Sequence, residues 1–85
     1  MKATLFHTNG IRSEITLSSF SHAQELVGGL IQISYLSSQL GLLCNEEGRF
    51  LNLDANPFFT EYQGNLILVN LKDFNNLPFY TPNLQ

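Results

Sequence analysis

The chain has 85 residues, of which 44% are hydrophobic and 13% are charged, and its formal net charge is −3. This length predicts a single domain that buries roughly 60–65% of its unfolded surface, and the hydrophobic share excludes intrinsic disorder. The acidic balance predicts no nucleic-acid partner and no binding to anionic membranes, because both need a surplus of Lys and Arg.

A β-hairpin is predicted over residues 2–7 and 11–17. Apolar and polar side chains alternate in both segments with the period of a half-buried strand. The Asn9-Gly10 pair between them favours a type I′ turn, because both residues tolerate the positive φ that this turn requires. This hairpin is the first element that we expect.

A short helix is predicted over residues 19–27. Its apolar face is formed by four residues at helical spacing: Phe20, Ala23, Leu26 and Val27. Three serines compete for the N-cap position, so the start of the helix stays open by two or three residues. Gly28-Gly29 is expected to end it, because glycine readily takes the left-handed conformation of a helix C-terminus.

A second hairpin is predicted over residues 30–36 and 40–44, joined by the polar link 37–39. The segment Asn45-Glu46-Glu47-Gly48 that follows is predicted to be a tight turn, with Gly48 at a positive φ. These elements place two acidic side chains directly after an apolar strand.

Three further elements are predicted: extended chain over residues 49–53, a helix over 57–62 that begins after Asn56, and a strand over 66–69. The last is apolar on both faces and is expected at the centre of the sheet. The sum is a small α+β domain over residues 1–70, with a mostly antiparallel sheet and two short helices in the order β-β-α-β-β-β-α-β. Residues 71–85 are expected to form a tail, partly ordered or packed across the domain.

The absence of a long apolar run predicts a soluble protein. The apolar runs 40–44 and 66–69 are too short to cross a bilayer, and the first residues lack the apolar core of a secretory signal. The single Cys44 permits no internal disulfide and fits a reducing compartment. We therefore expect an intracellular protein of the cytoplasm or an organelle interior.

Three short motifs together indicate a family. Val27-Gly28-Gly29 closes the first predicted helix and Asn45-Glu46-Glu47-Gly48 follows a strand. The third motif is Asn56 before a short predicted helix, with Gly64-Asn65 before an apolar strand. Their order and spacing resemble the family catalogued as domain of unknown function 3846, found largely in phage, plasmid and bacterial genomes. The resemblance covers roughly residues 1–70. It implies a compact α+β domain and no established activity.

Two interpretations are open for the polar residues of this region. Asn45 and Asn56 stand where amide side chains cap turns and helix starts, which favours a role as backbone clamps. Glu46 and Glu47 are favoured as solvated turn residues. Alternatively, these residues form a ligand-binding pocket lined by Asn45, Glu46, Arg49 and Asn56, in which Arg49 meets an anionic group.

Metal, cofactor and nucleophile signals are weak. His7 and His22 have no carboxylate or Cys at ligand spacing, so we expect no metal site. Cys44 ends an apolar strand and is expected to behave as a small hydrophobic residue. Gly28-Gly29 lacks the Lys of a phosphate-binding loop. The sequence therefore predicts no catalytic residue and no cofactor.

The leading hypothesis is a non-enzymatic binding or interaction module that associates with itself or with a protein partner. Its basis is the aromatic content of 12%, which exceeds the need of so small a core. The predicted interface contains Phe58, Phe79 and Tyr80. One alternative is a small-molecule or nucleotide-binding protein of phage or plasmid type. Another is a small enzyme that uses Glu46 or Glu47 as acid or base.

Overall fold

The computed structural model describes residues 1–78, which form one antiparallel sheet and two helices. The strands are β1 (Lys2–Phe6), β2 (Arg12–Thr16), β3 (Ile31–Tyr35), β4 (Leu40–Asn45) and β5 (Leu66–Asn70). The helices are α1 (Phe20–Val27) and α2 (Leu71–Asn75). The predicted fold class, a small α+β domain with a mostly antiparallel sheet, is confirmed.

The sheet has the strand order β2-β1-β5-β4-β3, so the last strand within residues 1–78 is the central one. Ile67 of β5 lies opposite Leu5 of β1 on one side and Leu43 of β4 on the other. The position of β5 is as its sequence predicts, because a strand that is apolar on both faces is most stable where both faces are covered. β5 thereby joins two sequence-local hairpins into one sheet.

The two helices cover the first face of the sheet. Ser19 caps α1 by accepting a hydrogen bond from the backbone N–H of His22, and Gly28 ends the helix with a φ of 85°. The N–H groups of Gly28 and Gly29 both donate to the carbonyl of Gln24, which satisfies an otherwise unpaired helix-end acceptor. The predicted helix over residues 19–27 is confirmed, and Ser19 is the cap among the three candidate serines.

Helix α2 was not predicted, because two asparagines and two prolines interrupt the pattern after residue 70. Asn70 caps it by accepting a hydrogen bond from the N–H of Asp73. Leu71, Phe74 and Leu77 are buried in the core of the first face. An N-cap Asn followed by apolar residues three apart was the available signal. Of the tail predicted over 71–85, residues 79–85 lie outside the described part of the chain.

The loop of the first hairpin differs from the predicted type I′ turn. Of the Asn9-Gly10 pair, only Gly10 has a positive φ, at 88°. The N–H of Gly10 donates to the carbonyl of His7, and the N–H of His7 donates to the carbonyl of Ile11. These are the bonds of a three-residue loop, which needs one left-handed residue rather than two.

The segment of residues 46–65, called here the covering segment, lies over the second face of the sheet and contains neither element predicted for it. Residues 49–53 are not extended, since the N–H of Leu51 donates to the carbonyl of Glu47 and that of Leu53 to Gly48. A strand here would have no partner, because β4 and β5 pair directly with each other. Gly48 has no positive φ; a Cβ there would lie 3.1 Å from the Gln63 carbonyl oxygen.

Residues 57–62 form turns and not a helix. Six residues are too few to make a helix stable without strong packing, and the aromatic side chains here pack toward the sheet. Phe59 and Tyr62 pack against a second small core, formed by Phe6, Leu42, Cys44 and Leu66. The predicted order of elements is therefore corrected to β-β-α-β-β-β-α over residues 1–75.

Candidate functional site

An open groove of about 680 Å³ lies on the second face of the sheet, between the covering segment and the paired residues Gln32 and Cys44. It is lined by residues from β3, β4 and the covering segment: Gln32, Cys44, Asn45, Glu46, Glu47, Gly48, Arg49, Phe50, Glu61, Tyr62 and Gln63. The volume is in the range of small-molecule sites. The groove contains three of the four predicted ligand-binding residues.

The rim of the groove is charged. Glu46, Glu47, Arg49 and Glu61 are all exposed. The Arg49 side chain makes no hydrogen bond or ion pair with residues 1–78, where the one ion pair joins Arg12 to Glu14. The guanidinium N–H groups of Arg49 are thus available to bind a ligand. Arg49 shares the rim with three glutamate carboxylates.

Polar groups in and beside the groove are paired, with the exception of one buried oxygen. Ser34 and Tyr62 share a hydrogen bond through their hydroxyl groups, which ties the covering segment to β3. The Cys44 thiol donates to the carbonyl of Gln32, at 3.4 Å. The Oε1 atom of Gln63 is buried without a hydrogen-bond partner. Arg49 and the rim carboxylates therefore offer most of the free polar contacts.

Burial raises the pKa of the Cys44 thiol above its ordinary value of 9.0. The nucleophile of cysteine chemistry is the thiolate, so the folded environment opposes its formation. Cys44 is also among the buried residues of the second core. The prediction that Cys44 behaves as a small hydrophobic residue agrees with this environment.

We expect Cys44 to react with a disulfide reagent at pH 8 more slowly in the folded chain than in the chain unfolded by urea, by about tenfold or more. The rate at which the reagent releases its own thiol measures the labelling of Cys44 directly. The contribution of this thiol to stability should be full below pH 9.0 and decrease as the pH rises above it, because the unfolded thiol ionises first. Equal labelling rates in both states would contradict the burial.

Asn45 is a clamp at the end of β4. Its side chain is 5% exposed; Nδ2 donates to the carbonyl of Val27, and Oδ1 accepts from the backbone N–H of Glu47. It therefore connects the end of α1 to the start of the covering segment. The clamp interpretation made from the sequence is confirmed for this residue.

Asn56 is a second clamp, and it does not line the groove. Its side chain is fully buried. Nδ2 donates to the carbonyls of Phe6 and Gly64, and Oδ1 accepts from the N–H of Phe58. The bond to Phe6 holds the covering segment on β1, the bond to Gly64 holds it to its own far end, and the bond from Phe58 fixes the turn that follows Asn56. Asn56 thus shapes the groove without facing it.

A protein-family model described as "Domain of unknown function (DUF3846)" matches residues 1–79. The chain belongs to this family. The match extends past residue 70, where the resemblance seen in the sequence ended, and it includes the whole of α2. Comparison with curated proteins and with solved structures found no significant match. Membership in the family identifies the type of domain and assigns no activity to the chain.

Of the three predicted interface residues, Phe58 is the one that belongs to the described part of the chain, and it does not line the groove. Phe58 is 40% exposed and its ring lies 5.0 Å from that of Phe6. Phe79 and Tyr80 lie outside the described residues. Sequence reasoning missed Phe50, which is 88% exposed and lines the groove. Phe50 was not predicted to be a site residue, because residues 49–53 were predicted to be extended chain of the scaffold.

Within residues 1–78, no three His, Cys, Asp or Glu side chains come together in a way that could hold a metal ion. No helix in that range is long and apolar enough to span a membrane.

Proposed function

We propose that this protein is a non-enzymatic binding module that holds a small ligand with one anionic group in the groove. The observation that supports it most is the Arg49 side chain, which has no partner among the described residues and lines a cavity of about 680 Å³. Guanidinium groups bind carboxylate and phosphate groups through two parallel hydrogen bonds. Arg49 is the residue that recognises the anion.

The remaining rim charges narrow the ligand class. Glu46, Glu47 and Glu61 line the same groove, so a ligand with several negative charges meets repulsion from three carboxylates. A zwitterion avoids this, because its cationic group faces the carboxylates while its anionic group meets Arg49. Phe50 and Tyr62 offer aromatic surface for an apolar part of the ligand. A nucleoside triphosphate fits this groove less well than an amino-acid-like molecule.

The non-enzymatic interpretation has support from the exposure of the candidate acids. General acid or base catalysis near neutral pH requires a carboxyl group whose pKa is raised, usually by removal from water. Glu46 and Glu47 are both exposed to solvent. The Cys44 thiol, whose pKa is raised by burial, is poorly suited to act as a nucleophile.

The proposal predicts that Arg49→Gln weakens ligand binding. The probes are a panel of zwitterionic amino acids with nucleoside monophosphates and triphosphates, and binding is measured by ligand-observed NMR and calorimetry. We expect a zwitterion to bind, and its Kd to rise about tenfold or more in Arg49→Gln, because charge-assisted hydrogen bonds contribute about 1.5–3 kcal/mol.

Lys72→Gln is the matched control, since it removes the same charge from an exposed residue of α2, on the opposite face of the sheet. Its Kd should equal that of the unmodified chain. Equal affinity of Arg49→Gln, or tighter binding of triphosphates than of zwitterions, would contradict the proposal.

A further inference from the structure

The two edges of the sheet differ in charge. β2 and β3 are the edge strands. β2 contains Arg12 and Glu14, both exposed, and charged side chains on an edge strand oppose pairing with another chain. β3 contains no charged residue, and none occurs in the chain between Glu25 and Glu46. One edge is therefore protected by charge and the other is not.

The outer side of β3 has free backbone donors and acceptors. The carbonyl of Leu30 accepts from the N–H of Glu46, and the N–H of Leu36 donates to the carbonyl of Leu40. In an antiparallel pair, alternate residues direct their backbone groups toward the partner strand. The groups of Ile31, Ile33 and Tyr35 therefore point away from β4, and no strand within residues 1–78 pairs with them.

Apolar side chains flank this free edge. Four of them are at least two-fifths exposed: Leu30, Tyr35, Leu36 and Leu40. Tyr35 is the most exposed of these, at 70%. Exposed apolar side chains beside an unpaired, uncharged edge are a hallmark of a surface that another chain covers.

We infer that β3 pairs antiparallel with β3 of a second copy of this chain, joining two five-stranded sheets into one. A two-fold axis at Ile33 places Ile33 opposite Ile33 of the second copy and Ile31 opposite Tyr35. These are the residues whose backbone groups point outward, so each can exchange hydrogen bonds with its counterpart. The register also pairs an aromatic with a β-branched side chain, which is a favourable cross-strand contact.

Charge is compatible with a second copy at this edge and not at the other. Each chain has a net charge of −3, which opposes contact between two copies, but residues 26–45 contain no charged side chain. The pair formed by β3 brings together segments with no charge at all. The strand is also its own complement about Ile33, as an interface with two-fold symmetry requires. This inference involves the edge of the sheet and does not depend on a ligand in the groove.

The test is sedimentation velocity of the full chain over a range of concentrations, together with amide hydrogen exchange. We expect a dimer by a concentration on the order of 100 micromolar, since a single strand pair is a small interface. The amides of Ile31, Ile33 and Tyr35 should be protected at that concentration and exchange faster on dilution. A chain that stays monomeric, or a dimer without this protection, would overturn the inference.

Variants at the two edges test the location. Tyr35→Lys should raise the dimer Kd by about tenfold or more, because a lysine on an edge strand opposes pairing. Ile11→Lys is the control: Ile11 is 55% exposed, adjoins β2, and receives the same new charge. Its Kd should stay unchanged. Equal weakening by both variants, or weakening by Ile11→Lys alone, would place the interface elsewhere.

Discussion

Replacing Asn56 by alanine is expected to lower the free energy of unfolding by about 3 kcal/mol, which is about 15 °C in Tm for a chain of this size. The side chain is fully buried and makes three hydrogen bonds to backbone groups of Phe6, Gly64 and Phe58. Alanine removes the partner of each, and buried polar groups without partners are costly. Thermal and urea unfolding followed by circular dichroism measure the loss.

Two further variants sharpen this prediction. Asn56→Asp keeps an acceptor for the N–H of Phe58 but sets a carboxylate oxygen against two carbonyl oxygens, so it should destabilise at least as much. Asn75→Ala is the control, because Asn75 is exposed at the end of α2, and a change within about 0.5 kcal/mol is expected. If Asn56→Ala melted like Asn75→Ala, Asn56 would not be the clamp described above.

Gly64→Ala is expected to destabilise the fold by about 2–3 kcal/mol, through two separate effects. Gly64 has a φ of 88°, which costs an L-residue with a side chain about 1–2 kcal/mol. In addition, a Cβ at this position would lie 2.9 Å from Cδ1 of Leu53. Leu53 is part of the covering segment, so the strain arises where that segment returns to β5.

Gly10→Ala separates the two effects. Gly10 has the same φ of 88°, but a Cβ there would have no atom within 4 Å. Its expected cost is the conformational part alone, about 1–2 kcal/mol. The difference between the two variants in urea unfolding measures the contact with Leu53. A loss for Gly10→Ala as large as that for Gly64→Ala would mean that Leu53 moves aside without cost.

The ligand binding that we propose would be linked to stability through the covering segment. The segment supplies one wall of the groove, and Asn56 holds it closed through a bond to Phe6, fifty residues earlier in the chain. A ligand that binds only the closed arrangement stabilises the native state in proportion to its concentration and affinity. Asn56 therefore shapes the groove without lining it.

The candidate site was predictable in part. Glu46 and Arg49 were predicted to be site residues because charged side chains beside a tight turn can bind a ligand. Both line the groove. Glu61, Tyr62 and Gln63 were missed, because nothing local indicates that residues 61–63 approach the turn after β4. Asn56 was selected for the site, yet its side chain is fully occupied with backbone groups.

The sequence by itself determined the elements whose signals are local. The alternation in β1 and β2, the serine cap and Gly28 of α1, and the two-sided apolar run of β5 each depend on neighbouring residues. Tertiary structure decided the covering segment and the helix after β5. Residues 46–65 bond to partners far away in the chain, and α2 is short enough to depend on burial of Leu71 and Phe74. Such long-range contacts, and the groove that they form, leave no periodic pattern in a single sequence.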